Sequence, residues 1–498
     1  MSVMELRSAD AREHFIPAFP RPGRHSHRPR RLSCRRAPAR SDLVTITNTD
    51  SVGEYEDGPV GTKADQGPVD KKRFLVKLTG VIAGGMFIDG YILGIVGTVI
   101  GAITLDLDMS LYWEGLIGAS ALIGIFVGGP LGGWLADKLG RKPLFAIDLA
   151  IFILGSVMQF FVDSAWQLFA VRLLMGIAIG ADYSVGWPLL SEFAPRRLRG
   201  KLLAYCEVAW YVGFMFAFVA GFLMTTVWSL DWRIVLGSST VPAVILFLAR
   251  LGMPESPRWL MNKGRTEEAT EIAHAYLEDP SDVVDIANEG TRKGTFGMLF
   301  SPAYRRATIF ISVFWFCAVA PYFAIATFAA SVLEGYGLGD GLVGAIGVNG
   351  LALVGVMVSV LLIERVGRRK LTIPQQWVCA VVLLIIGLWS SAPPAVVLIC
   401  FLVFAFANAM STALTGVYPG EIFPTEIRGL GTGFATAFSR VGAGLGTFLL
   451  PWSMHNLGAG ITMLIAAGIC IVGASVSQVL APETMGRSLS ETSAPHQR

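Results

Sequence analysis

From Leu78 onward the chain carries about twelve apolar stretches, centred near Asp89, Ile125, Phe152, Ile177, Phe214, Val244, Ile325, Val354, Leu383, Phe404, Gly442 and Ala467. Each is long enough to cross roughly 30 Å of hydrocarbon at 1.5 Å of rise per helical residue. Lipid offers the backbone no hydrogen-bond partners, so only helices and closed barrels can span it. Runs this continuously apolar lack the in-out alternation of barrel strands, and they predict an all-α polytopic membrane protein. Composition agrees: of 498 residues only 15% are charged and 53% are apolar, whereas soluble domains carry about a quarter charged residues.

The loops between these stretches predict the orientation, because Lys and Arg favour the cytoplasmic side. Lys138, Arg141, Lys142, Arg196, Arg197, Arg199, Lys201, Arg365, Arg368, Arg369, Lys370, Arg428 and Arg487 fall on one side. The other side has Arg233 among Asp106, Asp108, Asp163, Asp231, Glu334 and Asp340. A multi-pass protein of the cytoplasmic (inner) membrane with both termini inside is expected, and Trp113, Trp166, Trp228, Trp232 and Trp452 should sit in the outer headgroup layer.

Five segments are expected: a disordered, arginine-rich cytoplasmic arm (1–73), a six-helix half (74–251), a cytoplasmic loop with short helices (252–306), a second six-helix half (307–481) and a cytoplasmic tail (482–498). Within the loop, Ala269, Ile272, Ala273 and Tyr276 share one helical face, which predicts a short amphipathic helix over 266–278. The halves repeat. Asp137-Lys-Leu-Gly140-Arg141-Lys142 is echoed by Glu364-Arg-Val-Gly367-Arg368-Arg369, and Glu192-Phe-Ala-Pro195-Arg-Arg-Leu-Arg199-Gly200 by Glu421-Ile-Phe-Pro424-Thr-Glu-Ile-Arg428-Gly429. Two unrelated motifs recur at nearly one offset, as duplicated halves require.

These motifs resemble the major facilitator superfamily, in particular its sugar-porter branch and neighbouring bacterial metabolite:proton symporters. Pro254-Glu255-Ser256-Pro257-Arg258-Trp259-Leu260 and Pro482-Glu483-Thr484-Met485-Gly486-Arg487-Ser488-Leu489 look like that branch's signatures after spans six and twelve. The resemblance covers nearly all of 74–491 and implies twelve helices in two pseudo-symmetric halves that rock about a central site. Two departures from the pattern stand out. The first span reads Phe87-Ile88-Asp89-Gly90-Tyr91 rather than Phe-Gly-Tyr-Asp, which bears on proton coupling, and the seventh lacks the usual Gln-Gln pair, which disfavours a hexose.

The charges at the loop motifs form the expected cytoplasmic gate: Asp137, Arg141, Glu192 and Arg199 in one half, Glu364, Arg368, Glu421 and Arg428 in the other, with Glu192–Arg199 and Glu421–Arg428 pairing across helix ends. Ionisable residues inside spans cost about 2.5–3.5 kcal/mol each on insertion scales and need a partner or a cavity. By depth, Asp89 should meet Arg172 or Asp182, and these three are the proton-coupling candidates. Asp148 is expected at the interface or beside the loop motif, and Glu207 at the cytoplasmic gate. Arg440 and Arg172 leave room for a carboxylate substrate. Tyr91, Tyr183, Trp187 and Trp210 from the first half are candidate lining, as are Trp315, Tyr322, Asn349 and Asn408 from the second.

The functional expectation is a secondary active transporter of a small organic metabolite, an organic acid, sugar or polyol, working by alternating access with proton-coupled uptake and as a monomer in the lipid bilayer. A facilitative uniporter or exporter of the same fold is the alternative, and a nutrient-sensing receptor without transport the alternative of another class. No span pairs His with Cys, Glu or Ser at catalytic spacing, and no nucleotide-binding loop occurs, so an enzyme and nucleic-acid binding are not expected. The six cysteines stand singly, which suits neither a metal nor a redox disulfide, and no cofactor is expected.

Overall fold

The computed structural model describes residues 70–277, 295–337, 339, 341–389 and 391–485. Most of the arginine-rich arm (1–69), Asp340, the loop 278–294 and the tail from 486 onward with Arg487 lie outside the described residues.

Helix α1 runs from Lys71 to Asp106. It starts at Asp70, whose carboxylate accepts the backbone N–H groups of Lys72 and Arg73 at 3.0 and 3.2 Å, an N-cap that satisfies donors the helix cannot. The first half continues with α2 (Leu111–Leu139), α3 (Arg141–Met158), α4 (Ala165–Phe193), α5 (Arg196–Phe222) and α6 (Trp232–Arg250). The second half comprises α7 (Arg305–Thr327), α8 (Gly341–Val366), α9 (Arg368–Leu388), α10 (Pro394–Thr412), α11 (Thr425–Asn456) and α12 (Gly458–Leu480). Eleven of these are long and apolar enough to cross a membrane. The remaining one, α11, is the twelfth long helix, and Arg428, Arg440 and its many glycines lower its hydropathy.

Within the halves α1 packs on α5, α2 on α4 and α7 on α11; between them α2 packs on α11 and α5 on α8. The halves meet tightly at the end opposite the basic loops. There, a Cβ on Gly97 would strike the carbonyl of Thr327, and one on Gly115 that of Phe448. Small residues let membrane helices approach this closely. Leu361, Leu388, Ile245 and Val479 are exposed on the periphery, the surface that hydrocarbon covers.

The amphipathic helix is present over Thr266–Tyr276. Ala269 and Ala273 are buried, and the Tyr276 ring lies 4.2 Å from that of Phe74 at the start of α1. Trp166, Trp228 and Trp452 are exposed as an interfacial belt requires, whereas Trp232 is buried. Its indole N–H donates to Asp106 at 3.1 Å, so it closes a loop contact rather than facing headgroups.

Candidate functional site

The first helix sets the site with two residues one turn apart, Gly85 and Asp89. Asp89 is fully buried and neither of its carboxylate oxygens has a hydrogen-bond partner. Its charged neighbours are Asp182, Arg250, Asp148 and Arg440. Beneath it, Arg250 at the end of α6 joins α3 and α4. Its Nη1 donates to Asp148 Oδ2 at 3.1 Å, and its Nη2 lies 3.0 Å from Asp182 Oδ1 and donates to Oδ2 at 3.1 Å. All three side chains are buried, and the guanidinium carbon sits 4.5 Å from the centre of the Phe145 ring. Gly85 permits this: a Cβ there would lie 2.6 Å from Asp182 Oδ2 and also strike Arg250. One guanidinium thus serves two carboxylates, with a third, Asp89, one turn away.

This arrangement corrects two expectations, the approach of Asp89 to Arg172 and the placing of Asp148, and keeps Asp182 as a neighbour of Asp89. Asp89 does not meet Arg172, which instead donates from Nη2 to the carbonyl of Ile92 at 3.3 Å while its Nε and Nη1 lack hydrogen-bond partners. Ten residues separate Arg172 from Asp182 along α4, about 15 Å of helix, which places the guanidinium a turn beyond Asp89. Asp182 pairs with Arg250. Asp148 is neither interfacial nor a partner of the loop motif, since it is buried against that same Arg250.

Toward the second half stands an aromatic group. The Trp210 indole donates to the Tyr183 hydroxyl at 3.1 Å, and its ring centroid is 5.8 Å from that of Phe323 on α7. The Arg440 guanidinium carbon of α11 lies 5.7 Å from the ring centres of both Tyr183 and Phe323. Tyr211 and Tyr322 face each other at 6.0 Å, and the Tyr322 hydroxyl has no partner. Glu207 belongs here rather than at the gate, because Arg440, Tyr183 and Tyr322 are the groups its charge acts on.

The other candidates divide. Trp187 donates to Met86 Sδ at 3.3 Å and abuts Gly416 of the opposite half. Trp315 is buried. Asn349 donates to the Ala345 carbonyl at 3.0 Å, leaving its buried Oδ1 without a partner. Two candidates are committed to structure. The Tyr91 hydroxyl is 2.6 Å from Ser238 Oγ, at the break between the two helical pieces of α6. Asn408 donates to Ala318 at 2.9 Å and accepts from Thr412 at 3.1 Å, tying α10 to α7.

At the basic end the same clamp is built twice. Arg141 pairs with Glu192 at 2.6 Å and bonds Ser256, which in turn bonds Glu192. Glu255 accepts the N–H groups of Arg141 and Lys142 at 2.9 and 3.1 Å. In the second half Arg368 pairs with Glu421 at 2.7 Å and Glu364 at 3.1 Å, Thr484 bonds Glu421, and Glu483 accepts the N–H groups of Arg368 and Arg369, each at 3.0 Å. Glu192 therefore pairs with Arg141 rather than with Arg199, and Glu421 pairs with Arg368, because the loop glycines turn α3 and α9 back over the ends of α4 and the helix Tyr418–Ile422. Arg199 and Arg428 bond the carbonyls of Ala194 and Phe423, and the Asp137 carbonyl accepts the Trp259 indole at 3.1 Å. Burial raises the Glu483 carboxyl's affinity for a proton, but the backbone N–H groups of Met485, Arg368, Arg369 and Thr484 outweigh that and hold it below the usual carboxylate range.

Sequence reading missed the partners that complete these sites: Arg250, and Glu255, Ser256, Glu483 and Thr484 inside the two signatures. The repeat carried the signal for the latter, since Glu255 and Glu483 stand at the same offset as the loop motifs.

Residues 78–494 match the family described as "Sugar (and other) transporter". The inner membrane metabolite transport protein YgcS of Escherichia coli (strain K12) is 38% identical over 412 residues, 83% of this chain and 92% of that protein. The arabinose-proton symporter of Bacillus subtilis (strain 168) is 28% identical over 84% of this chain and 94% of its own length. Among solved structures, the major facilitator superfamily proton:xylose symporter XylE superposes with a TM-score of 0.70 at 22% identity, covering 85% of this chain and 99% of its own.

Proposed function

The chain belongs to the sugar (and other) transporter family of the major facilitator superfamily, and from that premise we propose that it takes up a small organic metabolite together with protons by alternating access. It works as a monomer in the inner membrane, with the basic loops and both termini cytoplasmic. The halves 74–251 and 307–481 rock about the aromatic group, where Tyr183, Trp187, Trp210, Trp315, Tyr322, Asn349 and Arg440 line the substrate site. The two clamps around Arg141 and Arg368 hold the helix ends that must move as units.

One observation carries the proton coupling: Asp89 is wholly buried at mid-depth, with no hydrogen-bond partner, above two carboxylates that share one guanidinium. Three buried carboxylates near two cations, Arg250 and Arg440, leave one excess negative charge, which would cost several kcal/mol, and a proton on Asp89 removes it. Arg250 replaces Arg172 as the neighbouring cation in this reading. The proton carried by arabinose and xylose symporters of the same fold supports it.

The test is uptake of a radiolabelled panel of sugars, polyols and organic acids into proteoliposomes holding the full chain, with and without an inward proton gradient. Gradient-dependent accumulation of one class is expected. Equal uptake with and without the gradient would turn the protein into a uniporter, and no uptake of any solute would remove the transport reading.

A further inference from the structure

We propose that Arg440 binds the carboxylate of a small aromatic monocarboxylic acid, and that Glu207 takes up one proton as the anion arrives. The proposal rests on the transport reading above and deepens it with a substrate class and a second proton site.

The face of α5 that looks across to the other half carries Glu207, Trp210, Tyr211 and Phe214, spaced three and four residues apart and so aligned on one side of the helix. Trp210 is fixed by its bond to Tyr183, and Phe323 closes the group from α7. Arg440 enters from α11 between the Tyr183 and Phe323 rings, within the reach at which a guanidinium is attracted to an aromatic face. The Arg440 Nε is buried without a hydrogen-bond partner, and among the described residues no carboxylate comes within ion-pair distance of this guanidinium. Glu207 acts on it through space. The groups that interact with Glu207 are Arg440 from α11, Tyr183 from α4 and Tyr322 from α7, with Cys206 and Tyr211 on its own helix; Asp89 of α1 acts on Tyr183 and on the same Arg440.

With Asp89 protonated, as in the proposed cycle, Glu207 and Arg440 are balanced as a separated pair. A carboxylate entering between them adds one negative charge in a region where excess charge is costly. Transfer of one proton from solvent to Glu207 restores the balance: the substrate anion then holds Arg440, and the neutral Glu207 carboxyl can donate a hydrogen bond to it. No other bond is made or broken. The flat walls of Tyr183, Trp210 and Phe323 select a planar apolar body behind the carboxylate. A sugar would meet the same rings but would leave the guanidinium without its anion.

The full chain in lipid nanodiscs, with no gradient, is titrated with benzoate and nicotinate and with benzamide and nicotinamide as neutral counterparts, while a pH indicator in weak buffer counts protons. The acids should bind at least about tenfold more tightly than the amides, the scale of a hydrogen bond to a charged group, with about one proton taken up per acid bound near neutral pH. Arg440→Gln should erase the preference for acids. Arg440→Lys, which keeps the charge, should retain part of it and covers the case in which the glutamine variant does not fold. Glu207→Gln should still bind the acids but take up no proton. No binding of either acid by folded protein, equal affinity for acids and amides, or undiminished proton uptake in Glu207→Gln would overturn the proposal. Failure of the transport reading shows elsewhere, as absent uptake in proteoliposomes while this binding persists.

Discussion

Glu483 does in the second half what Glu255 does about 228 residues earlier: each carboxylate accepts the two backbone N–H groups that open the helix after a glycine turn. A helix start leaves such donors unsatisfied, and a negative charge there is favoured by the helix dipole. The signature glutamates thus act as remote caps that pin the chain following α6 and α12 onto the loops before α3 and α9.

The glycines at these turns should be irreplaceable. Gly140 has φ 97° and ψ 170°, and Gly367 has φ 94° and ψ 160°, a region essentially restricted to glycine, where other residues cost about 1–3 kcal/mol. A Cβ would also lie 2.5 Å from Glu255 Oε2 at the first turn and 2.9 Å from Glu483 Oε2 at the second. Gly140→Ala and Gly367→Ala should each lower the thermal unfolding midpoint in detergent. Alanine variants as stable as the parent would show that the caps tolerate displacement.

The cap in the second half should weaken in acid. Glu483 is held below the ordinary carboxylate value of 4.5 by its N–H donors, so its stabilising contribution is complete above that value and disappears as pH falls through the lowered folded-state one. The protection factors of the Arg368 and Arg369 amides, corrected for intrinsic exchange at each pH, should therefore fall as the parent is taken below the ordinary carboxylate value. In Glu483→Gln exchange should already be faster at neutral pH. Protection that is flat across this range in both proteins would contradict the assignment.

Arg250 should be more important to folding than its position suggests. Replacing it with Gln leaves Asp148 and Asp182 buried without their cation, and removing one partner of a buried ion pair costs about 3–5 kcal/mol. Arg250→Gln should sharply reduce the folded, monodisperse fraction, and adding Asp148→Asn should recover part of it. Size-exclusion profiles with thermal ramps compare the two. No recovery in the double variant would mean that Arg250 acts through packing against Phe145 rather than through charge.

The helices were legible because hydropathy sums over some twenty residues, and the clamps because their motifs are repeated. The pairing of buried charges was not. Successive residues turn about 100° around a helix, and on a helix apolar on every side, periodicity leaves its rotation open. Asp89 was visible as a buried acid, but which of Arg172 and Arg250 it lies near depends on that rotation. Arg250 itself closes its apolar stretch, where nothing in the sequence marks a charge as buried. Glu207 was misplaced for the same reason: its depth near the basic end suggested a gate, whereas its helix face, shared with Trp210 and Tyr211, turns it toward Arg440.

Asp89 gives the sharpest test of coupling. Net uptake requires the empty carrier to return after losing its proton, whereas exchange across equilibrated membranes returns loaded in both directions. Asn keeps the size of the side chain and stays neutral, as Asp89 is when protonated in the proposed cycle. Asp89→Asn should therefore abolish gradient-driven accumulation in proteoliposomes while leaving counterflow of labelled substrate close to the parent rate. Because the carboxylate has no hydrogen-bond partner to lose, the variant should also fold normally, and its thermal midpoint should match or exceed the parent's. Equal loss of exchange and accumulation would move Asp89 from coupling to substrate binding, and retained accumulation would leave Glu207 as the site to which the driving proton must go.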